Sequence, residues 1–156
     1  MTIALTLKDY LSRHEVEYEV ISHHRTLCSS ETAAAAHVPG ERLAKSVVLE
    51  DAQGYVMAVL PATHRIQLGA LREQLNRHLR LASETELASL FKDCVPGAIP
   101  PVGDAYGMPT VLEHSLAGES EVYFEAGDHE ELIHVNGRTF TRVMGEAEHL
   151  HFSSRP

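Results

Sequence analysis

The chain carries three lysines against ten arginines. One of those lysines, Lys45, heads AKSVVLEDAQGYVMAVLP (44–61), which reads as the most apolar hairpin of the sequence. Residues two apart on a strand point the same way, so Lys45 shares a face with Val47 and Leu49, while Ala44, Ser46, Val48 and Glu50 take the other. The facing run, YVMAVL, is apolar at every position, which predicts cover on both faces. Burial disfavours an ammonium there and lowers its pKa unless an anion or several acceptors compensate. Two readings stand on pattern alone. Lys45 either starts the strand and carries its charge to water along an aliphatic stem, or faces an anionic or carbonyl-bearing ligand as a flexible point charge with three donors.

A second segment with chemical potential is PGAIPPVG (96–103), with two glycines and three prolines in eight residues. Proline fixes φ and removes a donor, so the loop is stiff. Gly97 and Gly103 admit positive φ and let a ligand approach the backbone. The amides of Gly97, Ala98 and Ile99 form a small concave donor group for an oxyanion in one reading; in the other, the segment is a rigid connection. It fits neither the GxxxxGK[ST] phosphate loop nor the GxGxxG fingerprint. His129, in EAGDHEELIHV, is placed at a turn between two strands, either as a solvated residue or as a donor to a ligand carbonyl.

Other chemistries find less support. The chain has eleven histidines, and HLH (149–151) sets two imidazoles on one strand face, with His129 and His134 nearby in sequence. There is no HExxH and no cupin-like spacing, so no metal centre is expected. No GxSxG elbow marks a serine nucleophile. Cys28 and Cys94 form no CxxC or CxC pattern and carry no nucleophile signature; free thiols in a reducing cytoplasm are expected. A formal net charge of −9 disfavours a wide polyphosphate footprint but leaves room for contact with one end of a nucleic acid. The opening MTIALTLKDYLSRHEVEYEV lacks a basic, long-apolar leader, and no run approaches the ~18 apolar residues of a membrane span. A soluble, cytoplasmic protein is expected.

The elements that must hold these residues follow from periodicity. Thr6 caps a helix over 7–14, and VEYEVI (16–21) alternates as a half-buried strand. SSETAAAAHV reads as a helix starting at Ser29 or Ser30 and stopped by Pro39-Gly40. The hairpin turns at 51–54. Helices follow over 68–79 and 83–91, the latter opened by the capping box Ser83/Glu86. Strands are expected at 110–113, 121–126, 131–135 and 148–152, with a short helix at 138–144. With 156 residues the chain fits a single domain, 1–156. The fold class is α+β (mixed α/β), with a mostly antiparallel, curved sheet flanked by short helices.

Lys45 at its strand head, the glycine-proline loop and GDHEELIHV, in that order, resemble the YbaK/EbsC-type aminoacyl-tRNA deacylases, relatives of the editing insertion domain of bacterial prolyl-tRNA synthetases. The resemblance extends to SSETAAAA and to AKSVVLEDAQGYVMAVLPATHRIQLGALREQL, and runs from about residue 5 to 145. It implies a barrel-like sheet and a free-standing, trans-acting hydrolase that removes a wrong amino acid from the 3′ end of a tRNA, without a cofactor. It implies that Lys45 contacts the terminal adenosine and the substrate carbonyl, that the backbone of Gly97, Ala98, Ile99, Pro100 and Pro101 borders the scissile ester, and that His129 shapes the amino-acid pocket. Ser46 stands where the alanyl-specific branch often carries asparagine, and the histidine turn is usually missing from the cysteinyl-proline branch. Alanine, serine and 2-aminobutyrate are thus the amino acids in view. The partner implied is the tRNA acceptor end, with an aminoacyl-tRNA synthetase as a second candidate; neither DNA nor a membrane is expected. Arg25, Arg42 and Arg65 are candidates to hold that end, each with a surface ion pair as its alternative. An aminoacyl ester is already activated, so water or a ribose hydroxyl suffices once the ester is oriented. Two competing classes remain: a non-catalytic relative that binds an acceptor end, a synthetase or a nucleotide, and a Schiff-base enzyme using Lys45.

Overall fold

The computed structural model describes residues 3–24, 26 and 28–156. In chain order the elements are α1 (Leu5–Arg13), β1 (Glu19–Ser22), α2 (Ser29–Ala36), β2 (Leu43–Asp51), β3 (Gly54–Pro61), β4 (Arg65–Ile66), α3 (Leu68–Leu75) and β5 (Arg80–Leu81). Then come α4 (Glu84–Leu90), β6 (Thr110–Glu113), α5 (His114–Ala117), β7 (Glu121–Glu125), β8 (Glu131–Asn136), α6 (Gly137–Met144), β9 (Glu148–Leu150) and β10 (Ser153–Ser154). Among the described residues an eight-stranded sheet runs β1-β8-β7-β2-β3-β6-β9, with β5 added to β2, and β4 and β10 form a separate ladder. None of the helices is long and apolar enough to cross a membrane among those residues.

Local chemistry sets most boundaries. The α4 capping box is present: Glu86 N donates to Ser83 Oγ at 3.1 Å and Ser83 N to Glu86 Oε1 at 3.0 Å. The hairpin closes on the two residues Ala52 and Gln53, with Asp51 opposite Gly54 and Gln53 N donating to Asp51 Oδ1. Helix α1 begins two residues earlier than expected, with Ala4 and not Thr6 at its N-cap. Thr6 lies inside it, and its N–H donates to Asp93 Oδ2 at 2.8 Å. The expected strand over 16–21 shortens to 19–22 because Val16 N still closes on Leu11 O at the end of α1. Helix α3 stops at Leu75, since Asn76 turns left-handed at φ 52°.

The sheet is mixed. Antiparallel ladders join β2–β3, β7–β8, β1–β8 and β2–β5, and parallel ones join β2–β7, β3–β6 and β6–β9. Each parallel pair is reached by a crossover that passes through helix, as parallel strands require. Both faces of the hairpin are covered. Ala44, Val48, Met57 and Val59 belong to one core cluster with Leu112, Phe124 and Phe140. Leu49, Val56, Ala58 and Leu60 belong to a second with Leu71 of α3 and Phe152. A third, smaller cluster joins Leu43 and Ala62 to Ala33 of α2 and to Leu132. Lys45 therefore emerges where the second and third clusters meet, one face-step from Leu43 and opposite Leu60.

One buried acid holds the C-terminal strand. Glu113 is fully buried; its Oε1 accepts from Phe152 N, Ser153 N and Ser153 Oγ at 3.0, 2.8 and 2.7 Å. Its Oε2 lies 2.9 Å from His151 Nδ1. Burial alone would raise its pKa, but the Ser153 hydroxyl, His151 and the amides of Phe152 and Ser115 outweigh that and lower it below 4.5. Glu113→Ala leaves these buried donors unmatched and is expected to cost about 3 kcal/mol, read as a shift of the urea midpoint. Because the folded pKa is depressed, the wild-type contribution is present above the unfolded value and lost as pH falls through the folded one. The gap between variant and wild type should therefore narrow in acid; a pH-independent gap would show that the carboxylate charge is not what holds the strand.

Candidate functional site

Alternation decides the site's first feature. Lys45 and Ser46 are adjacent, so they point to opposite faces of β2. Lys45 is half-buried, and its Nζ donates to Ala62 O at 3.5 Å. Burial lowers its pKa and the Arg65 charge lowers it further, while Cys28 acts in the opposite direction. No carboxylate pairs with Lys45 or Arg65 among the described residues. An ammonium held partly out of water without an anion is costly for folding and ready to receive one. Of the other arginines, Arg42 is committed to Glu119 at 3.1 Å and Glu121 at 3.7 Å, and Arg25 lies outside the described residues.

The glycine-proline loop enters where β2 and β7 part. Their parallel ladder covers only Leu43↔Tyr123 and Ala44↔Phe124; one further step would set Lys45 beside Glu125. At that point the loop is pinned three times. Val95 N donates to Gly127 O at 2.7 Å, His129 Nε2 donates to Pro96 O at 2.9 Å, and Ser46 Oγ donates to Ile99 O at 3.1 Å. Ala98 is fully buried and its N–H is committed to Val95 O at 3.0 Å. The amides of Gly97 and Ile99 have no acceptor among the described residues, and Gly97 sits at φ 85°, so these two are the donors the loop offers. Pro100 and Pro101 are buried and stiffen the exit.

His129 is neither solvated nor open. Asp128 Oδ1 accepts from Glu130 N and Glu131 N, both at 2.9 Å, and His129 itself is left-handed at φ 63°. That tight turn rolls the imidazole inward until it is 3% exposed. A carbonyl only accepts, so Nε2 bears the proton given to Pro96 O. Nδ1 faces Glu125 Oε2 at 3.5 Å.

Glu125 was not singled out by sequence reasoning. It is buried, and among the described residues neither of its oxygens nor His129 Nδ1 has a partner within hydrogen-bond geometry. Burial pushes its pKa up to about 7, with Asp128 adding to the rise and the nearby Thr32 hydroxyl and His129 amide opposing it. Thr32 of α2 is fully buried and lies 2.6 Å from the Thr26 hydroxyl. A polar group thus backs the loop on the side of α2.

The cysteines are free. Cys94, beside the Tyr106 hydroxyl, has its pKa raised by burial to about 12, which leaves almost no thiolate at neutral pH. Among the described residues no group of three or more His, Cys, Asp or Glu side chains gathers as metal ligands do.

Comparison with known proteins gives this arrangement a family. A search of curated proteins finds no match. Among solved structures, a protein assigned provisionally as a trans-editing enzyme for prolyl-tRNA synthetase superposes with a TM-score of 0.81 at 23% identity, over 97% of this chain and 96% of that one. A scaffold protein used for computational grafting of linear epitopes superposes at 0.84 with 20% identity, over 98% and 97% of the two chains. A protein of Marinobacter aquaeolei VT8, assigned provisionally to signal transduction, superposes at 0.78 with 19% identity; 97% of this chain matches 31% of that one. These likenesses establish a shared mixed α/β fold. The profile of the aminoacyl-tRNA editing domain matches residues 23–143, a span that includes Lys45, the pinned loop and the His129 turn. The chain belongs to the aminoacyl-tRNA editing domain family.

Proposed function

We propose that the protein is a trans-acting deacylase that hydrolyses the ester of a mischarged tRNA bearing a small amino acid, such as alanine or serine, with tRNA(Pro) among its carriers, in the cytoplasm. The observation that carries this reading is the half-buried, carboxylate-free ammonium of Lys45, one residue from a loop tied down by Ser46 and His129. Such a cation meets the terminal adenosine or the carbonyl oxygen as it gains charge. The amides of Gly97 and Ile99, without acceptors on the loop that Ser46 holds, are further candidate donors. A preorganised donor of this kind contributes on the order of 3–4 kcal/mol to the transition state. The formal net charge of −9 suits a protein that grips only an acceptor end, with Arg65 as the exposed cation beside Lys45. A synthetase that supplies the mischarged tRNA is a fitting partner.

The competing reading, a silent relative that binds without turnover, rests on Ser46 standing where an active branch of the resembled family carries asparagine. The bond from Ser46 Oγ to Ile99 O gives that serine a positioning task, which weakens the objection. Incubation with a panel of mischarged and correctly charged tRNAs tests both readings. Release of a small amino acid from a mischarged tRNA, well above the rate for prolyl-tRNA(Pro), is expected. Tight binding across the panel with every ester intact would overturn the deacylase and favour the silent relative.

A further inference from the structure

We propose that His64 Nε2 is the proton acceptor of the hydrolysis, held in the required tautomer by a buried chain through Ser153 to Glu113; this inference rests on the deacylase reading above. His64 lies in the turn between β3 and β4. That turn is closed by Ala62 N on Leu43 O at 2.8 Å and by His64 N on Pro61 O at 3.0 Å. The same turn supplies the carbonyl of Ala62 to which Lys45 Nζ donates, so one short piece of backbone carries both groups.

Hydrogen counting fixes the ring. His64 Nδ1 lies 2.8 Å from Ser153 Oγ, and Ser153 Oγ lies 2.7 Å from Glu113 Oε1. Glu113 is ionised and only accepts, so the single hydroxyl hydrogen of Ser153 goes to it. The hydroxyl must then accept from Nδ1–H, which leaves the lone pair of the neutral ring on Nε2. Ser153 and Glu113 are both fully buried, and the pairing of Ser153 with Ile66 and of Ser154 with Arg65 locks the strand against the turn. Among the described residues Nε2 has no protein partner.

The groups facing the ring favour a free base. Burial lowers its pKa, Glu113 raises it, and the charges of His151 and Lys45 lower it. The ring is thus neutral at neutral pH, yet the imidazolium formed on proton uptake is supported through Ser153 by Glu113, and Lys45 is close enough to be felt. The step balances as follows. Water oxygen bonds to the ester carbonyl carbon as its proton passes to Nε2, and the oxyanion builds toward Lys45. On collapse the bond from carbonyl carbon to ribose oxygen breaks, and the Nε2 proton goes to that oxygen, giving free amino acid and uncharged tRNA. Ser153 and Glu113 are positioning residues that never meet the substrate.

His64→Asn tests this, because its amide nitrogen can keep the bond to Ser153 while Nε2 disappears. On the mischarged tRNA that the wild type hydrolyses best, kcat is expected to fall about 10²-fold or more with KM and the melting temperature little changed. The wild-type pH–rate limb that reports a base should vanish in the variant. A wild-type protein inactive on the whole panel would fault the deacylase reading itself. An active wild type with His64→Asn within about 3-fold of it, or with the pH limb intact, would overturn the role of His64 alone, since a purely structural histidine moves stability and leaves that limb in place. Nitrogen NMR of the wild-type imidazole is a second measure, independent of any variant's folding: protonation at Nδ1 is expected, and a neutral ring protonated at Nε2 would end the proposal.

Discussion

Lys45→Ala is expected to lower kcat/KM on the best mischarged tRNA by about 10²–10³-fold, the loss typical of one oxyanion donor, while leaving the protein at least as stable as before. The two halves of this expectation have one cause. The ammonium is half-buried, and among the described residues it has no carboxylate and no acceptor but Ala62 O, at a long 3.5 Å; its pKa is lowered, chiefly by burial. A group whose ionised form is disfavoured by folding weakens the fold wherever it stays charged, and deleting it removes that penalty. Lys45→Met, which keeps the stem against Val47 and Leu60, should therefore melt at or above the wild-type temperature and be equally inactive. Lys45→Arg should recover little, because a planar fork does not reproduce a compact point charge in the space under Ala62 O. Deacylation unchanged in Lys45→Ala, with circular dichroism and melting intact, would remove Lys45 from the chemistry. A large fall in stability would instead make the lysine a structural prop.

Period-two alternation was enough to show which side chains of 43–61 share a face, and the structure divides Ala44, Val48 and Met57 from Leu49, Ala58 and Leu60 in that way. Local capping chemistry likewise made the start of α4 legible from Ser83 and Glu86 alone. Alternation does not say which strand lies beside which. The parallel pairing of β2 with β7, some eighty residues on, comes from long-range packing, and with it comes the gap that the glycine-proline loop fills. Ser46 reads in sequence as a bare departure from a pattern; only the position of Ile99 O gives it work. In β7, Glu121, Tyr123 and Glu125 alternate with Val122 and Phe124, so a one-strand reading sends Glu125 to water. Helix α2 covers that end of the strand, and the acid is buried instead. Ser153 and Glu113 meet across forty residues of chain, a contact that no local pattern announces, so the tautomer of His64 was beyond the reach of sequence.

Glu125→Gln is expected to stabilise the protein in mild alkali by about 3 kcal/mol and to leave it little changed only once the pH is below the unfolded carboxyl value. The pKa of Glu125 is raised from 4.5 to about 7 in the folded chain, with burial the main cause. Below the unfolded value both states are protonated and the group contributes nothing. As pH climbs from there to about 7 the unfolded chain gives up its proton while the folded chain keeps it, so wild-type stability falls by ~1.4 kcal/mol per unit. Above the folded value the slope ends and the accumulated cost stays. Glutamine fills the same space, carries no charge at any pH, and has an amide to offer the lone pair of His129 Nδ1 that now faces Glu125 Oε2 at 3.5 Å. Urea midpoints at about pH 4, 6 and 8 give the answer. Wild type and Glu125→Gln should nearly coincide at the lowest, differ by most of the full amount at the middle value, and separate little further at the highest. Parallel stability curves would mean that the carboxyl finds water or a cation on ionising, and that the space between α2 and the loop is wetter than its buried, unpartnered oxygens imply.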